Sequence, residues 1–257
     1  MNTTFATPQP NATPVWNEAI SGISVPSKVS LAHVRAPSHV RAADFVEPSP
    51  WSVSAFKRTI DFSVAALALL ASWPFLLLTA IVVRLESSGP VIFRQKRVGQ
   101  HGALFTVYKF RTMEVARHQD GPSMTKRGDP RITRFGGFLR KHKLDELPQL
   151  INVLRGEMSL IGPRPRLPHH MEVQDLPFRP GLTGAATLAF RCEEELLQDI
   201  PDHELEVYNC STIIPLKRKL DWDYMAQATF GSDLALLYET AVCCLSAHPN
   251  TFMIDFS

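Results

Sequence analysis

One long uncharged segment limits the folds open to this chain more than any other feature. It runs from Phe62 to Val83, and its 22 residues would span roughly 33 Å as a straight helix. The hydrocarbon core of a bilayer is about 30 Å thick, so a helix of this length is able to cross a membrane. Pro74 lies near the middle, where it removes a helical hydrogen bond and clashes with the preceding turn. We therefore expect the helix to break at Pro74, with the Ser72 hydroxyl pairing a carbonyl that the break leaves free.

Basic residues flank this segment on both sides. Lys57 and Arg58 precede it, and Arg84 follows it directly. Positively charged flanks favour the cytoplasmic side of a membrane, so both ends are expected on the same face. We predict a re-entrant membrane helix over residues 57–86 that enters and leaves by that face. A helix that spans the bilayer once and a helix buried in a soluble domain are the two alternatives.

The rest of the chain divides into three parts by composition. Residues 1–56 are rich in Pro, Ala, Ser, Thr and Val without a periodic apolar pattern, which is typical of a disordered leader. Residues 87–245 have the composition of an α/β domain, expected to be mostly helical with a small β-hairpin. Residues 246–257 are expected to form a C-terminal tail. The predicted fold class is therefore an α/β cytosolic domain with one N-terminal re-entrant helix-hairpin in the membrane.

Short patterns indicate where the elements of that domain lie. Two β-prone runs, residues 90–93 and 104–108, are separated by glycines and predict a hairpin. Apolar residues recur at helical spacing over residues 144–154, and Gly156 suits the C-terminal end of that helix. The acidic remainder is expected to be helical, with an apolar stripe formed by Leu234, Leu237 and Tyr238.

Charge is distributed unevenly, although the whole chain carries a formal charge of only +2. Residues 57–183 contain 20 basic and 10 acidic side chains, whereas residues 184–257 contain 4 basic and 12 acidic ones. A basic block of this size indicates an anionic partner, such as a phosphate, a nucleic acid or a lipid surface. The sequence has neither a nucleic-acid-binding module nor basic residues interleaved with aromatic ones, so no nucleic-acid partner is expected. The four cysteines lack CxxC spacing and are too sparse for a disulfide scaffold.

Two adjacent acids, Asp145 and Glu146, lie in the basic block and precede Pro148. Proline is favoured at the first position of a helix, so the acids are expected at a helix N-terminus. One interpretation is a pair of solvated surface acids that the helix dipole stabilises. Because Arg140 and Lys143 are close in sequence, the pair also suits a phosphate site in which one carboxylate binds Mg²⁺ and the other attacks phosphorus. We expect these cations to keep the Asp145 carboxylate ionised at neutral pH.

Two further motifs suit phosphate binding. Lys109 and Arg111 are two apart after a predicted strand, which would place both on one face of an extended segment. The alternative is an edge strand that carries charge against aggregation. Pro163 and Pro165 flank Arg164 and would form a stiff loop for bidentate phosphate recognition. The alternative for this loop is a proline-rich turn with solvated arginines.

Taken together and in order, several motifs resemble those of the bacterial sugar transferase family. They are KRTIDF (57–62), GPVIFRQKRVG (89–99), KFRTM (109–113), DPRITRFGGFLR (129–140), LDELPQLINVLRGEMSLIGPRPR (144–166) and RPGLTG (179–184). The resemblance covers about residues 57–240, and it is the combination of motifs that is specific. The family comprises monotopic phosphoglycosyl transferases that begin the assembly of surface glycans.

The resemblance implies a reaction and a site. The reaction would transfer a sugar 1-phosphate from a nucleotide sugar, with UDP as the expected carrier, to polyprenol (undecaprenyl) phosphate, with release of the nucleoside monophosphate and a need for Mg²⁺. Asp145 would be the nucleophile that forms a covalent phosphosugar intermediate, and Glu146 would bind the Mg²⁺. The substrate-binding residues that the resemblance implies are Lys109, Arg111, Arg140, Pro163, Arg164 and Pro165.

The resemblance also implies a location and partners. The protein would lie in the bacterial cytoplasmic (inner) membrane with its catalytic domain on the cytoplasmic face, and its partners would be a nucleotide sugar, polyprenol phosphate, the lipid bilayer and downstream glycosyltransferases. Its product would start an exopolysaccharide, O-antigen, capsule or glycoprotein glycan. Three alternatives remain. The first is the same reaction with another donor, such as a plain hexose rather than an N-acetylated sugar. The other two are a membrane-attached scaffold or binding protein with a decayed site, and a one-span membrane protein with an unrelated cytosolic domain. The retained acid pair with its cations argues against decay.

Overall fold

The structure, a computed structural model, describes residues 47–114, 128–168, 176–191, 193, 197 and 200–245. Within these residues the fold is mostly helical, with seven α-helices and two two-stranded sheets. Most of the predicted leader, residues 1–46, and the predicted tail, residues 246–257, lie outside the described residues.

The uncharged segment forms α1 (Ala55–Glu86), a helix of 32 residues. Ser54 caps its start by accepting a hydrogen bond from the Lys57 amide at 3.0 Å. Among the described residues, α1 is the one helix that is long and apolar enough to cross a bilayer. Its most apolar 18-residue stretch is only 11% buried inside the protein. This exposure argues against a helix enclosed in a soluble domain.

Pro74 lies inside α1 without ending it. Every residue from Ala55 to Glu86 is helical, so the structure has one continuous helix where the sequence predicted a break. A single proline removes one hydrogen bond, and helices commonly absorb that loss by bending. The Ser72 hydroxyl lies 3.5 Å from the Leu69 carbonyl, one turn back, rather than on a carbonyl freed by a break.

The residues after α1 form the predicted hairpin. Strands β1 (Ile92–Val98) and β2 (Leu104–Phe110) are antiparallel, with Ile92 opposite Phe110. A short 3₁₀ turn, Gln100–Gly102, joins them. The hairpin prediction from residues 90–93 and 104–108 is therefore confirmed.

Three helical segments follow the hairpin: α2 (Arg134–Lys141), a 3₁₀ helix (Leu144–Gln149) and α3 (Leu150–Arg155). Gly156 ends α3 in the left-handed conformation, with a φ of 83°. The helix predicted over residues 144–154 is confirmed, except that its first part has the tighter 3₁₀ geometry. Pro148 contributes to this difference because it has no amide hydrogen for an α-helical bond.

Two short strands bring the proline- and glycine-rich segments of the sequence together. Strands β3 (Ser159–Ile161) and β4 (Gly181–Thr183) are parallel, with Ser159 opposite Gly181. The backbones approach so closely that a Cβ on Gly181 would lie 2.2 Å from the Gly162 nitrogen. Only glycine fits at this contact.

The acidic C-terminal part is helical, as predicted. Its helices are α4 (Ala185–Ala189), α5 (Asp202–Tyr208), α6 (Ile214–Gln227) and α7 (Phe230–Leu245), with a π-helical segment between α5 and α6 (Asn209–Ile213). Side chains from β2, α3, β3, α6 and α7 form the main core, which includes Val107, Val153, Leu160, Leu220, Met225 and Leu236.

The predicted apolar stripe on α7 packs against the core only in part. Leu237 packs against the main core, but Leu234 and Tyr238 are exposed. Asp233 and Leu236 supply the buried side of the helix instead, since Asp233 enters a polar network that helical periodicity alone does not reveal.

The segment before α1 packs against the domain. The Ser49 amide donates to the Met225 carbonyl at 3.0 Å, and the Ser49 hydroxyl donates to the Ala228 carbonyl at 2.8 Å. These bonds hold residues 47–54 at the end of α6. Packed structure therefore begins inside the stretch that composition assigned to the leader of residues 1–56, because serine and proline are common in leaders and in packed loops alike.

Both halves of α1 contact this domain. In the first half, Asp61 accepts a hydrogen bond from the Ser159 hydroxyl of β3 at 2.6 Å. In the second half, Val83 packs with Phe110 and Leu139 in a small separate core. The two contacts lie on different parts of the domain, and each fixes one end of α1.

The middle of α1 stands clear of the domain. From Leu70 to Phe75, five of the six residues are exposed, including Trp73 and Pro74. A straight helix that crossed a bilayer would contact a cytosolic domain at only one of its two ends. Helix α1 contacts the domain near both ends.

A buried polar network ties the start of α1 to α7. Lys57 Nζ lies 2.6 Å from Asp233 Oδ2 and 3.8 Å from Asp61 Oδ1. Asp233 also accepts hydrogen bonds from the Trp51 indole N–H at 2.9 Å and from the Tyr224 hydroxyl at 2.7 Å. Buried charges are tolerated only with such partners, so the network fixes the position of α1 on the domain.

Candidate active site

The two predicted acids lie in the first turn of the 3₁₀ helix Leu144–Gln149. Lys143, just before them, has a left-handed φ of 55°, which turns the chain sharply out of α2. Asp145 is 8% exposed and Glu146 is 6% exposed, so they are not solvated surface acids. A 3₁₀ helix has 3.0 residues per turn and therefore separates adjacent side chains by about 120°. The two carboxylates accordingly project in different directions.

Glu146 is paired with two cations. Lys109 Nζ lies 3.0 Å from Glu146 Oε1, and the two terminal nitrogens of Arg164 donate to both carboxylate oxygens. Burial alone would raise the pKa of Glu146, but the charges of Arg164 and Lys109 outweigh burial and hold this pKa well below its usual range. Glu146 is therefore a carboxylate at neutral pH, and its charge in turn raises the pKa of Arg164.

Asp145 has a different environment. Its buried Oδ1 has no hydrogen-bond partner among the described residues. Burial raises the pKa of Asp145, the charge of Glu146 raises it further, and Lys109, Lys143 and Arg140 oppose both effects. The neighbouring cations alone predict a lowered pKa for Asp145, whereas the structure raises it. The prediction from sequence did not include the cost of burying a charge. A carboxylate oxygen without competing hydrogen bonds suits a nucleophile.

The proline-flanked loop is held on one side by the end of β1. The Val98 amide donates to the Arg166 carbonyl at 2.9 Å, and the Arg97 guanidinium donates to the Pro165 carbonyl at 3.1 Å. Burial and the nearby charge of Arg164 lower the pKa of Arg97 to about 10, so Arg97 remains a cation at neutral pH. The stiffness expected from the prolines is thus reinforced by bonds to a neighbouring strand.

The other side of the loop is held by β4 and α6. The Gly181 amide donates to the Pro163 carbonyl at 2.9 Å. Asp221 of α6 accepts hydrogen bonds from the backbone amides of Ala186, at 2.9 Å, and Arg164. Burial raises the pKa of Asp221 to about 6. Asp221 therefore fixes the backbone from which the Arg164 side chain reaches the acid pair.

Arg111 has other partners. Its guanidinium donates to the carbonyls of Val83 at 3.3 Å and Ser87 at 2.7 Å, and also to the Pro90 carbonyl. These bonds satisfy carbonyl groups at the C-terminal end of α1. Because β2 ends before Arg111, the structure does not place Arg111 and Lys109 on one extended face: Lys109 reaches the acid pair and Arg111 reaches α1. Substrate binding by Arg111 stays a prediction without a supporting contact.

The remaining predicted residues lie around the acid pair. Arg140, on α2, is close enough for its charge to act on Asp145. Pro163 and Pro165 are both buried, and their carbonyls anchor the loop that carries the arginine partner of Glu146. The residues that sequence analysis missed here are Arg97 and Asp221. Side chains alternate between the two faces of β1, so Gln95 and Arg97 lie on the face opposite Lys96. This alternation could have predicted the position of Arg97 from the sequence.

The acid pair fits a hard divalent cation that takes most of its ligands from elsewhere. Among the described residues, no group of three or more His, Cys, Asp or Glu side chains is arranged to hold a metal ion alone. Mg²⁺ is usually bound by one or two carboxylates together with substrate phosphates and water. Glu146 could supply such a carboxylate, while the unpartnered oxygen of Asp145 stays available for attack on phosphorus.

A buried acid pair beside a rigid arginine loop, on a domain that carries an exposed apolar helix, is the arrangement expected of a transferase that handles phosphate groups at a membrane. The family described as bacterial sugar transferase has a model that matches residues 52–247. The chain therefore belongs to the bacterial sugar transferase family.

Individual relatives are named for one kind of reaction with different sugars. A UDP-glucose:undecaprenyl-phosphate glucose-1-phosphate transferase from Caulobacter vibrioides is 47% identical over 141 residues, which are 51% of this chain and 52% of the relative. A UDP-N-acetylgalactosamine-undecaprenyl-phosphate N-acetylgalactosaminephosphotransferase from Aeromonas hydrophila is 39% identical over 183 residues, which are 67% of this chain and 42% of the relative. An undecaprenyl-phosphate galactose phosphotransferase from Salmonella typhimurium is 34% identical over 206 residues, which are 72% of this chain and 39% of the relative. The chain thus spans about half the length of these relatives or less.

Proposed function

We propose that this chain transfers a sugar 1-phosphate from a UDP-sugar to undecaprenyl phosphate and releases the nucleoside monophosphate. The observation that carries this proposal is the buried pair of Asp145 and Glu146, in which Glu146 contacts Lys109 and Arg164. The names of the relatives support the donor and acceptor classes. The product is a lipid-linked sugar diphosphate, which downstream glycosyltransferases would extend into a surface glycan.

In the proposed reaction, Asp145 acts twice on the same phosphorus. First, a carboxylate oxygen of Asp145 attacks the phosphorus that bears the sugar, and a new O–P bond forms. The bond to the bridging oxygen of the diphosphate breaks, and the nucleoside monophosphate leaves with that oxygen and its electron pair. Second, a phosphate oxygen of undecaprenyl phosphate attacks this phosphorus and the Asp145 carboxylate leaves. The buried position of Asp145 excludes water, which would otherwise hydrolyse the intermediate.

The cations would neutralise the diphosphate that approaches the acid pair. Arg164 presents a planar fork that matches two phosphate oxygens, and its loop is fixed from both sides. Bound Mg²⁺ would supply further positive charge at the diphosphate, with Glu146 as its proposed protein ligand. Glu146 Oε1 accepts from both Lys109 and Arg164, whereas Oε2 accepts from Arg164 and can still bind an ion through its other lone pair. The substrate phosphates would offer Arg164 further acceptors.

Mass spectrometry tests the nucleophile. The enzyme is mixed with donor in the absence of lipid acceptor, and a sugar-phosphate adduct is expected on the peptide that contains Asp145. Asp145→Asn should form no adduct and show no turnover. Asp223→Asn, at an exposed pair on α6, is the matched control and should behave as the unmodified enzyme. Full activity of Asp145→Asn, or an adduct on another peptide, would contradict the assignment.

A metal titration tests the role of Glu146. The binding of Mn²⁺, followed by its electron paramagnetic resonance signal in the presence of a UDP-sugar, should weaken by about 10-fold or more in Glu146→Gln. Asp223→Asn again serves as the control. Equal binding in the two variants would remove Glu146 from the metal site.

The sugar is tested with a panel of donors. UDP-glucose, UDP-galactose and UDP-N-acetylgalactosamine correspond to the names of the relatives. Release of uridine monophosphate is measured with the full chain in vesicles that contain undecaprenyl phosphate. Release with at least one donor is expected, whereas no release with any nucleotide sugar would favour a scaffold or binding role.

We further propose that α1 is re-entrant and that the catalytic domain lies on the cytoplasmic face of the inner membrane. The contacts of both halves of α1 with one domain support this topology, and so do the exposed residues between Leu70 and Phe75. Cysteines placed at Ala55 and Leu85, in a background without the native cysteines, test it. Both should react with an impermeant thiol reagent from the cytoplasmic side only. Labelling of the two positions from opposite sides would refute re-entrance.

A further inference from the structure

Asn152, on α3, is a polar side chain inside the domain. It is 0% exposed, like its apolar neighbour Val153 in the main core. A buried carboxamide costs free energy unless its donors and its acceptor are paired. Its Oδ1 accepts a hydrogen bond from the Tyr108 amide at 3.3 Å, and its Nδ2 donates to the Thr106 carbonyl and to Glu157 Oε2, both at 2.7 Å. Both polar atoms of the Asn152 side chain are therefore paired.

Two of these hydrogen bonds are made to one edge of β2, and β1 lies along the opposite edge. A carboxamide carries a donor and an acceptor, as a backbone peptide does, so Asn152 pairs with this edge in the way that another strand would. Only one orientation of the amide satisfies both the Thr106 carbonyl and the Tyr108 amide. The Glu157 carboxylate favours the same orientation, because it requires a donor at Nδ2. Asn152 therefore holds β2 against α3 in one register.

Lys109 is the next residue of β2 after Tyr108, so its position follows that of the edge. Side chains alternate along a strand, which places Lys109 on the same face as Val107, a residue of the main core. From this face, Lys109 Nζ reaches Glu146 Oε1 at 3.0 Å. A slip of β2 by one residue would turn Lys109 to the other face. The contact between Lys109 and Glu146 thus depends on how β2 is held.

The acid pair lies on the same helical segment as Asn152. The 3₁₀ helix Leu144–Gln149 continues directly into α3 (Leu150–Arg155) without a loop between them. Asn152 therefore joins the segment that carries Glu146 to the strand that carries Lys109. We propose that Asn152 is a positioning residue for the transferase reaction, because it sets the distance between Lys109 and Glu146. The inference rests on the proposed function, in which Lys109 is one of the cations that neutralise the diphosphate.

Acetylation of lysines tests the position of Lys109 without an assay of turnover. The full chain in lipid nanodiscs is treated with an amine-acetylating reagent, and mass spectrometry measures the modification of Lys109 and of Lys57. Lys57 is buried in the network of α1 and reports on unfolding of the domain. Asn152→Asp keeps the size of the side chain but turns an oxygen toward the Thr106 carbonyl, so two acceptors repel. This variant should acetylate several-fold faster at Lys109, while Lys57 stays protected.

A second variant and a control accompany this measurement. Asn152→Leu has a similar branched shape without polar atoms and should give the same pattern, which shows that the new charge is not the cause. Ser49→Ala removes a different buried hydrogen bond, the one to the Ala228 carbonyl at 2.8 Å, and should leave Lys109 protected. Unchanged acetylation of Lys109 in both Asn152 variants would overturn the proposal. An equal increase at Lys57 and Lys109 would also overturn it, because Asn152 would then support the whole domain.

A double-mutant cycle tests the consequence for turnover. Asn152→Asp and Lys109→Met should each lower kcat/KM for the UDP-sugar several-fold, with the same division of the loss between kcat and KM. The variant with both substitutions should be no slower than Lys109→Met, because a positioning residue has no further effect once the side chain that it positions is absent. Losses that multiply in the double variant would refute the positioning role. No turnover by the unmodified chain with any nucleotide sugar would contradict the proposed function instead, and acetylation would still decide whether Asn152 positions Lys109.

Discussion

Replacing Asp233 with asparagine removes a negative charge from the network that joins α1 to α7. Lys57 would keep Asp61 as its remaining acidic partner in this network, at 3.8 Å, while its side chain stays only 6% exposed. Removing one partner of a buried ion pair costs about 3–5 kcal/mol, because the other charge stays buried without compensation. Since Asp61 still compensates Lys57 in part, we expect Asp233→Asn to lower the free energy of unfolding by about 3 kcal/mol, at the low end of that range.

Thermal unfolding of the chain in lipid nanodiscs measures this loss. For a domain of this size, 1 kcal/mol shifts the unfolding temperature by about 2–4 °C, so a decrease of about 6–12 °C is expected. The control is Asp223→Asn, which removes the partner of Lys219 from an exposed pair with an Nζ–Oδ2 distance of 2.9 Å. Exposed pairs contribute about 0–1 kcal/mol, so the control should unfold within about 4 °C of the unmodified chain.

Two results would refute this reasoning. The first is an equal decrease in the two single variants, which would mean that burial of the charge pair does not determine its contribution. The second concerns the variant that combines Lys57→Met with Asp61→Asn and Asp233→Leu. This variant removes all three charges of the network and should unfold at a higher temperature than Asp233→Asn, because no charge then stays buried without a partner. A further decrease instead would assign the effect to the hydrogen bonds that Trp51 and Tyr224 donate.

Three further predictions follow from the site and its supports. Arg164→Lys should raise the KM for the UDP-sugar strongly in steady-state assays, since lysine cannot reproduce the two-nitrogen contact, and an unchanged KM would make Arg164 a diffuse charge only. Arg111→Gln should speed amide hydrogen exchange around Ser87, where carbonyls lose their donor, and should raise the KM less than Arg164→Lys does; unchanged exchange would refute the capping role. The pKa of Asp221, which burial raises to about 6, lies above its unfolded value of about 3.9, so the folded protein holds the extra proton between these values. The free energy of unfolding should therefore fall as pH rises from about 4 to about 6 and then level off, and Asp221→Asn should remove this part of the pH dependence in thermal unfolding.

Local patterns were sufficient to predict the elements that position the acid pair. The hairpin and the helix over residues 144–154 depend on neighbours within one turn or one strand, and Gly156 ends that helix by a backbone preference of glycine itself. That cations act on Asp145 also followed from the sequence, since Arg140 and Lys143 are close to it along the chain.

Features that depend on distant residues were not predictable in this way. Arg111 reaches the end of α1, and the position of that end is set by packing rather than by the residues next to Arg111. The pKa of Asp145 is raised because burial outweighs nearby cations, and the sequence does not give the degree of burial. Leu234 is exposed because Asp233, its neighbour, is drawn inward by Lys57 from another helix.

The pairing of Lys57 with Asp233 also has a consequence for the order in which the protein is made. The two residues are 176 positions apart, so at roughly 5–20 residues per second the ribosome adds Asp233 about 9–35 s after Lys57. The apolar segment of α1 is therefore available to the membrane well before its lysine acquires this partner. On the proposed topology, α1 would enter the bilayer in an unfixed position, and its final docking would wait until α7 has been synthesised.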